Sequence, residues 1–253
     1  MKIAVVTGAS SGMGRESIIQ LSERFPGLSE IWAVARREER LKELKEKIRV
    51  PLRIFPLDLC EDGALTALER ALMEEKPEVR ILVNAAGFGK IGKEEDLPIA
   101  DELAMVRLNC EALCGVTHIT LPYMPKHSRI IQFASAASFL PQPGFAVYAA
   151  TKSFVLSYSR ALNAELRSRD IAVTAVCPGP VRTEFFDIAE TTGKIPLYKR
   201  LAMADPVKVV RLALYDSMVG KSVSVYGPLM KAFYVLCKAL PHEALLRGME
   251  LIK

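Results

Sequence analysis

Short apolar runs and longer mixed segments alternate along the chain. Seven runs rich in Val, Ile and Ala predict strands at residues 2–7, 30–35, 52–57, 81–84, 129–134, 171–176 and 223–226. Between them, apolar residues recur at helical spacing, at about 14–25, 38–49, 62–76, 98–121, 146–168 and 205–218. Nearly continuous apolar strands separated by helices predict an α/β protein with a parallel sheet covered on both faces.

Two segments depart from this alternation. Residues 184–204 include Gly193 and Pro196, which interrupt helices, and we expect this stretch to be a lid over the substrate. Residues 228–253 predict an apolar C-terminal extension of two helices broken at Pro241. We expect the extension to pack over the pocket or against another subunit. A patch on a membrane surface and a site for another protein are alternatives.

Length and composition limit the possible classes of protein. A single domain spanning residues 1–253 is the simplest account of this length. The formal charge of +5 is spread along the chain and does not argue for nucleic acid. Five scattered cysteines and three scattered histidines indicate reduced thiols and no metal cluster. With no signal-peptide pattern and no apolar run long enough to span a bilayer, we expect a cytoplasmic protein.

A glycine-rich turn follows the first predicted strand. Residues 7–14 read Thr-Gly-Ala-Ser-Ser-Gly-Met-Gly and lead into a helix. Glycines let the backbone turn tightly and approach a ligand, while a helix start offers free N–H groups to a pyrophosphate. An ordinary Gly/Ser-rich turn is the alternative. The cofactor contacts predicted here are Gly8, Ser10, Gly12, Met13 and Gly14.

Two arginines follow the second predicted strand. In a dinucleotide-binding fold this strand ends near the adenosine ribose, where an acidic residue suits a 2′-hydroxyl and an arginine suits a 2′-phosphate. Ala35, Arg36 and Arg37 occupy that place, so the sequence predicts NADP(H), with Arg36 the stronger candidate. Alternatively, both arginines belong to the solvated start of the next helix.

The best candidate for acid–base chemistry is a pair of residues four apart on one predicted helix. Tyr148 and Lys152 would lie on the same helix face. A lysine cation lowers the pKa of a nearby phenol from about 10, which suits proton transfer near neutral pH. Ser135, at the end of the fifth strand, would hold the reacting oxygen. Tyr234 and Lys238 have the same spacing, but in an apolar run that predicts simple helix packing.

Other residues admit two interpretations. Asn109 lies in the middle of an apolar helix and needs hydrogen-bond partners, either a water or a purely structural group. Five apolar residues would line either an apolar substrate pocket or the core: Phe139, Leu140, Phe145, Phe185 and Phe186.

These residues together resemble the short-chain dehydrogenase/reductase family, in the branch of about 250 residues. The resemblance extends to about Gly227; the tail beyond it is longer and more apolar than a typical ending. It is carried by the glycine turn 7–14, Asp58, the Asn-Ala-Ala-Gly stretch 84–87, Asn109, Ser135 (Ser138 is the less favoured alternative), Tyr148, Lys152 and the loop 178–183.

The resemblance implies a doubly wound Rossmann fold, with a seven-stranded sheet ordered 3-2-1-4-5-6-7. It implies hydride transfer between NADP(H) and a carbonyl/alcohol pair on a small molecule, with Tyr148 as acid or base. Lys152 would lower the pKa of Tyr148 and bind the nicotinamide ribose. Ser135 would bind the substrate oxygen, and Asn109 would position a water. Further implied cofactor contacts are Asp58, Leu59, Asn84, Val181 and Thr183.

Many members form dimers or tetramers, so we expect a homo-oligomer. A catalytically silent NADP-binding regulatory or scaffold protein of the same fold is the alternative function. The family's epimerase or dehydratase branch is disfavoured by the length and the glycine spacing.

Overall fold

The computed structural model describes residues 1–189 and 203–250. Its centre is a seven-stranded parallel sheet in the order β3-β2-β1-β4-β5-β6-β7. The strands are β1 Lys2–Thr7, β2 Glu30–Val34, β3 Leu52–Phe55, β4 Glu78–Asn84, β5 Arg129–Phe133, β6 Ala172–Val176 and β7 Val223–Ser224. The predicted fold class and strand order are confirmed.

Helices cover both faces of this sheet. They are α1 Gly12–Arg24, α2 Glu38–Lys45, α3 Ala64–Glu75, α4 Ile99–Val106, α5 Leu113–Thr120, α6 Ala146–Glu165, α7 Phe185–Ala189, α8 Pro206–Met218, α9 Pro228–Ala239 and α10 His242–Glu250. Alternate side chains of each strand face opposite helical layers. In β1, Ala4 and Val6 join the layer containing α1 and α8, whereas Ile3 and Val5 join the layer containing α3, α5 and α6.

The long helix predicted over residues 98–121 is not continuous. A π-helical segment, Arg107–Ala112, separates α4 from α5 and contains the buried Asn109. A π segment adds a residue to the turn and shifts the backbone hydrogen bonds, an irregularity frequent at functional sites. Side-chain periodicity did not reveal it, because apolar positions continue at near-helical spacing through the segment.

The start of α8 is as predicted. The Asp205 carboxylate accepts a hydrogen bond from the Val207 N–H, and Pro206 occupies the first turn, where its missing N–H costs nothing.

The C-terminal extension is helical, as predicted, and its first helix packs on the body of the protein. In α9, Met230 lies against Gly179, and Cys237 is buried. Tyr234 packs on Phe139 with ring centroids 4.7 Å apart, while the Lys238 ammonium lies 4.3 Å from the Tyr234 ring centroid. The second Tyr/Lys pair therefore has the packing role predicted for it.

The opposite side of α9 is exposed at Leu229, Val235 and Leu236. Within residues 1–189 and 203–250, no helix combines the length and apolar character needed to cross a membrane.

The predicted lid is described only in part. Residues 185–189 form α7, and residues 203–204 rejoin the body through a β-bridge between Val181 and Ala204. The rest of the lid prediction, at residues 190–202, lies outside the described residues.

Candidate active site

The glycine turn lies where the carboxyl ends of β1 and β4 meet. Gly8 has φ +66°, and a Cβ there would lie 2.7 Å from the backbone of Ala85 and Ala86. The Thr7 hydroxyl accepts hydrogen bonds from both of those N–H groups at 3.2 Å. The two loops after these strands are therefore joined by direct backbone contact that only glycine at position 8 permits.

The first turn of α1 is open to an anion. Its N-cap, Ser11, makes no side-chain capping bond, and no acidic residue lies in the first turn. Free N–H groups and the positive end of the helix dipole favour a phosphate at such a place. A Cβ at Gly14 would lie 2.3 Å from the Gly8 carbonyl oxygen, so glycine is also required for the tight turn below it. Met13, predicted as a contact, packs partly buried against the core.

The Asn84 side chain is buried and hydrogen-bonded to other protein groups. Its side-chain amide donates to the Thr117 hydroxyl and to the Gln132 side-chain oxygen, both at 3.0 Å, while its oxygen accepts from Thr7 at 3.4 Å. This buried network links β1, β4, β5 and α5. It fixes the loops that would hold a cofactor, and direct contact by Asn84 stays a prediction.

Ser135, Tyr148 and Lys152 come together at the same edge of the sheet. Ser135 follows β5 and is hydrogen-bonded to Tyr148. Tyr148 and Lys152 lie in the first turns of α6 and are buried, at 7% and 5% exposure. The Lys152 ammonium donates to the Phe133 carbonyl at 2.9 Å and lies 5.7 Å from the Tyr148 ring centroid. The predicted set is thus assembled, although the lysine faces the sheet.

Burial reverses the expected direction of the tyrosine's pKa. Desolvation raises the pKa of Tyr148 to about 12, and the hydrogen bond with Ser135 opposes this only in part. Desolvation also lowers the pKa of Lys152 to about 8. The sequence-based expectation of a lowered tyrosine pKa is therefore wrong for this structure, because helical spacing does not reveal how deeply both groups are buried.

Asn109 is held by backbone and side-chain partners. Its amide nitrogen donates to the Phe88 carbonyl at 2.9 Å and to the Thr151 hydroxyl at 3.0 Å, and its oxygen accepts from the Phe88 N–H at 3.1 Å. A Cβ at Gly87 would lie 2.8 Å from the Asn109 oxygen and 3.3 Å from the Lys152 nitrogen. Asn109 therefore holds the loop after β4 beside Lys152 through its hydrogen bonds to Phe88. The predicted water is not tested by these contacts.

Aromatic rings enclose Tyr148. Phe145 stacks on it at 4.2 Å and Phe185 lies at 5.4 Å, centroid to centroid, while Gly89 leaves room for the ring. Of the five candidate pocket residues, Phe139 and Leu140 instead belong to the core beneath α9, and Phe186 contacts Phe185 edge-on. For Phe139 and Leu140, the interpretation as core residues was therefore correct.

The loop after β6 passes over the glycine turn. A Cβ at Gly12 would lie 3.5 Å from Thr183, so the loop 178–183, with its predicted cofactor contacts, is a neighbour of the predicted phosphate turn. Val181 is buried and pairs with Ala204. The loop after β6 and the glycine turn therefore meet at one edge of the sheet.

Charged side chains lie at the carboxyl ends of β2 and β3. Arg36 is 71% exposed, and its guanidinium lies 3.4 Å from the Asp58 carboxylate, which also accepts from the Cys60 N–H. Arg37 donates to the Ser10 hydroxyl at 3.2 Å. The end of β2 and the glycine turn thus meet, as the dinucleotide interpretation requires. Leu59 is half-buried beside Asp58.

Several residues of this site were not foreseen from the sequence. Thr7, Thr117, Gln132 and Thr151 support it through hydrogen bonds, and Arg40 and Glu184 join its charged end. Polar residues at buried strand and helix positions were the available signal. The partners that join them across the site are 15 to 147 residues away, so no local pattern could pair them.

A family model described as short chain dehydrogenase matches residues 2–192. The chain belongs to the short chain dehydrogenase family. The predicted resemblance is confirmed, and the protein is an oxidoreductase of this family.

Curated relatives extend the match beyond the family model. The chain is 32% identical over 235 residues to sulfoacetaldehyde reductase 2 of Chromohalobacter salexigens, covering 88% of this chain and 91% of that one. It is 35% identical over 192 residues to an NADP-dependent 3-hydroxy acid dehydrogenase of Escherichia coli, covering 74% and 75%.

A solved structure shows the same arrangement of elements. The short-chain dehydrogenase from Sphingobium yanoikuyae in complex with NADPH is 26% identical, with a TM-score of 0.78 over 95% of this chain and 97% of that one.

Gly8→Ala tests the backbone contact between the glycine turn and the loop after β4. The added methyl would overlap the Ala85 backbone and occupy a left-handed conformation, so we expect a loss of about 2 kcal/mol or more in the free energy of unfolding, a drop of several degrees in Tm. Gly27→Ala is the matched control, since nothing lies within 4 Å of its Cβ position. Thermal unfolding curves that coincide for the two variants would contradict this account.

Proposed function

We propose that this protein is an NADP(H)-dependent oxidoreductase that interconverts a carbonyl and an alcohol on an apolar small molecule. The observation that carries the proposal is the meeting of Ser135, Tyr148 and Lys152 with the glycine turn at one edge of the sheet. Proton-transfer groups and a dinucleotide cradle at the carboxyl ends of parallel strands are the elements that carbonyl reduction requires.

The chain's own residues fit a dinucleotide. Gly8 and Gly14 permit the tight turn before α1, where any Cβ would collide with backbone, and the N–H groups of the first turn of α1 carry no side-chain cap and suit a pyrophosphate. Arg36 and Arg37 supply cations where a 2′-phosphate would lie. When bound, the nicotinamide ring supplies or accepts the hydride. The NADPH complex of the Sphingobium neighbour and the NADP dependence in the E. coli relative's name support this choice of cofactor.

The protonation state of Tyr148 favours the reductive direction. With its pKa raised to about 12, the phenol keeps its proton at neutral pH and can donate it to the oxygen of a carbonyl substrate. Ser135, hydrogen-bonded to Tyr148, would hold the same oxygen. In the reverse direction Tyr148 would accept the alcohol proton.

Lys152 and Asn109 would support this transfer. The Lys152 cation, held by the Phe133 carbonyl, stabilises negative charge on the phenol as the proton leaves. Asn109 fixes the loop at Phe88 and orients α6 through Thr151. Positioning of this kind contributes to rate because misplacement of reacting groups by about 1 Å can cost a hundredfold.

The rings of Phe145 and Phe185 favour an apolar substrate. They are the nearest aromatic neighbours of Tyr148 in the described residues, and they would exclude water from the reacting oxygen.

Tyr148→Phe tests the acid role. Removing only the hydroxyl should lower kcat by about a hundredfold or more, because general acid catalysis contributes about that much, while the Kd for NADPH changes little. Tyr234→Phe, in the packing pair of α9, is the matched control and should keep its activity. Oxidation of NADPH is followed at 340 nm over a panel of aldehydes and ketones. Binding of NADPH without turnover by the wild type would instead support the silent regulatory or scaffold protein.

The pH dependence of reduction tests the charge on Lys152. Because burial lowers its pKa to about 8, the ammonium is present below that pH and is lost as the pH rises through it. Tyr148, at about 12, and the thiols of Cys110 and Cys177, at about 11 and 12, stay protonated there. We therefore expect kcat/KM for carbonyl reduction to fall above about pH 8. A profile level up to pH 10 would show that this charge is not required.

Arg36→Ala tests phosphate recognition. Because the guanidinium is mostly exposed, its removal should leave the fold intact while raising the Kd for NADP(H) about tenfold and that for NAD(H) less than about twofold. Arg167→Ala removes an exposed cation elsewhere and should change neither constant. Equal weakening of both cofactors, measured by fluorescence titration, would reject the role of Arg36.

A further inference from the structure

A carboxylate from the loop after β6 pairs with two arginines, Arg37 just before α2 and Arg40 in its first turn. Glu184 accepts a hydrogen bond from Arg37 at 2.8 Å and from Arg40 at 2.5 Å, although it is 147 and 144 residues away from them in the chain. Arg37 also donates to Ser10 of the glycine turn. Two guanidinium groups, a hydroxyl and one carboxylate thus form a single charged cluster.

This cluster has the chemistry of a phosphate site already filled by an anion. Guanidinium groups bind carboxylate and phosphate oxygens through the same N–H edges, so the two anions compete for one position. The Arg37 hydrogen bond holds the pKa of Glu184 below its usual range, and Arg40 adds to this effect, so the carboxylate stays charged at neutral pH. Glu184 is 41% exposed, which leaves it free to move into water when displaced.

The chain neighbours of Glu184 reach the glycine turn and Tyr148. It lies between Thr183, which contacts the glycine turn, and Phe185, whose ring packs 5.4 Å from Tyr148. Glu184 is therefore adjacent in the chain to the residue whose ring covers Tyr148.

We propose that Glu184 is a specificity-determining residue, an internal anion that occupies the arginine site until the 2′-phosphate of NADP(H) replaces it. The inference rests on the proposed function, since it requires the arginines to receive that phosphate. NADP(H) must displace Glu184 on binding, whereas NAD(H), which lacks the phosphate, leaves the carboxylate in place. Glu184 thus weakens the affinity for NADP(H) selectively.

The test compares two nucleotides that differ in the phosphate alone. Adenosine 2′,5′-bisphosphate carries the 2′-phosphate, 5′-AMP lacks it, and neither has a nicotinamide, so the measurement does not depend on turnover. Glu184→Gln should tighten binding of the bisphosphate about three- to tenfold, since it removes two exposed ion pairs that the phosphate must break. Binding of 5′-AMP should change less than about twofold. Isothermal titration calorimetry on the full chain gives both constants.

A matched variant controls for net charge. Glu39→Gln removes one negative charge from the same helix as Arg40, but Glu39 pairs with Lys42 and not with the arginines, so the bisphosphate affinity should stay within about twofold of wild type. Glu184→Ala should reproduce Glu184→Gln.

Each result decides between the two proposals. If the wild type prefers the bisphosphate to 5′-AMP and Glu184→Gln leaves that preference unchanged or reduces it, the role of Glu184 is overturned while the NADP(H) assignment stands. If neither wild type nor variant distinguishes the two nucleotides, both proposals fall together.

Discussion

The site depends on backbone contacts that side chains would prevent. Gly8 brings the turn after β1 onto the backbone of Ala85 and Ala86, and Gly87 leaves space for Asn109 and Lys152 beside the loop after β4. These contacts hold the loops after neighbouring strands at one edge of the sheet. Since the interior of the protein is closely packed, a shift of either loop would be transmitted to Tyr148 and Lys152 of α6.

Buried hydrogen bonds make this arrangement rigid. Asn84, Thr117 and Gln132 hydrogen-bond to one another inside the apolar core, and the Lys152 ammonium donates a hydrogen bond to the Phe133 carbonyl. Leaving any of these groups without a partner would cost on the order of 1–3 kcal/mol, so each bond favours one position of the loop or helix that carries it. Burial has a chemical consequence as well. It raises the pKa of Tyr148, which keeps the phenol protonated, and it lowers the pKa of Lys152.

The strand order was implied by the family resemblance. Local sequence was sufficient for the positions of the strands, the glycine turn, the start of α8 and the helix that brings Tyr148 and Lys152 onto one face. Each of these has a short-range signal: apolar runs, glycine spacing, or a polar residue before a proline. The same signals were insufficient for the π-helical segment around Asn109 and for the assignment of Phe139 and Leu140, where an apolar side chain fits a pocket and a core equally well. Strand ends were predicted one or two residues too long for β2, β3, β5 and β7, because apolar residues continue past the last ladder hydrogen bond.

The amino-acid sequence by itself determined the α/β fold, the family and the candidate residues for proton transfer, since these follow from the period of apolar positions and from motifs a few residues long. Only the tertiary structure decided which charges meet and how deeply they are buried. Glu184 reaches Arg37 across the chain, and desolvation, not helical spacing, sets the direction of the pKa of Tyr148. Burial and ion pairing are properties of the surroundings in space, and residues distant in the chain create them.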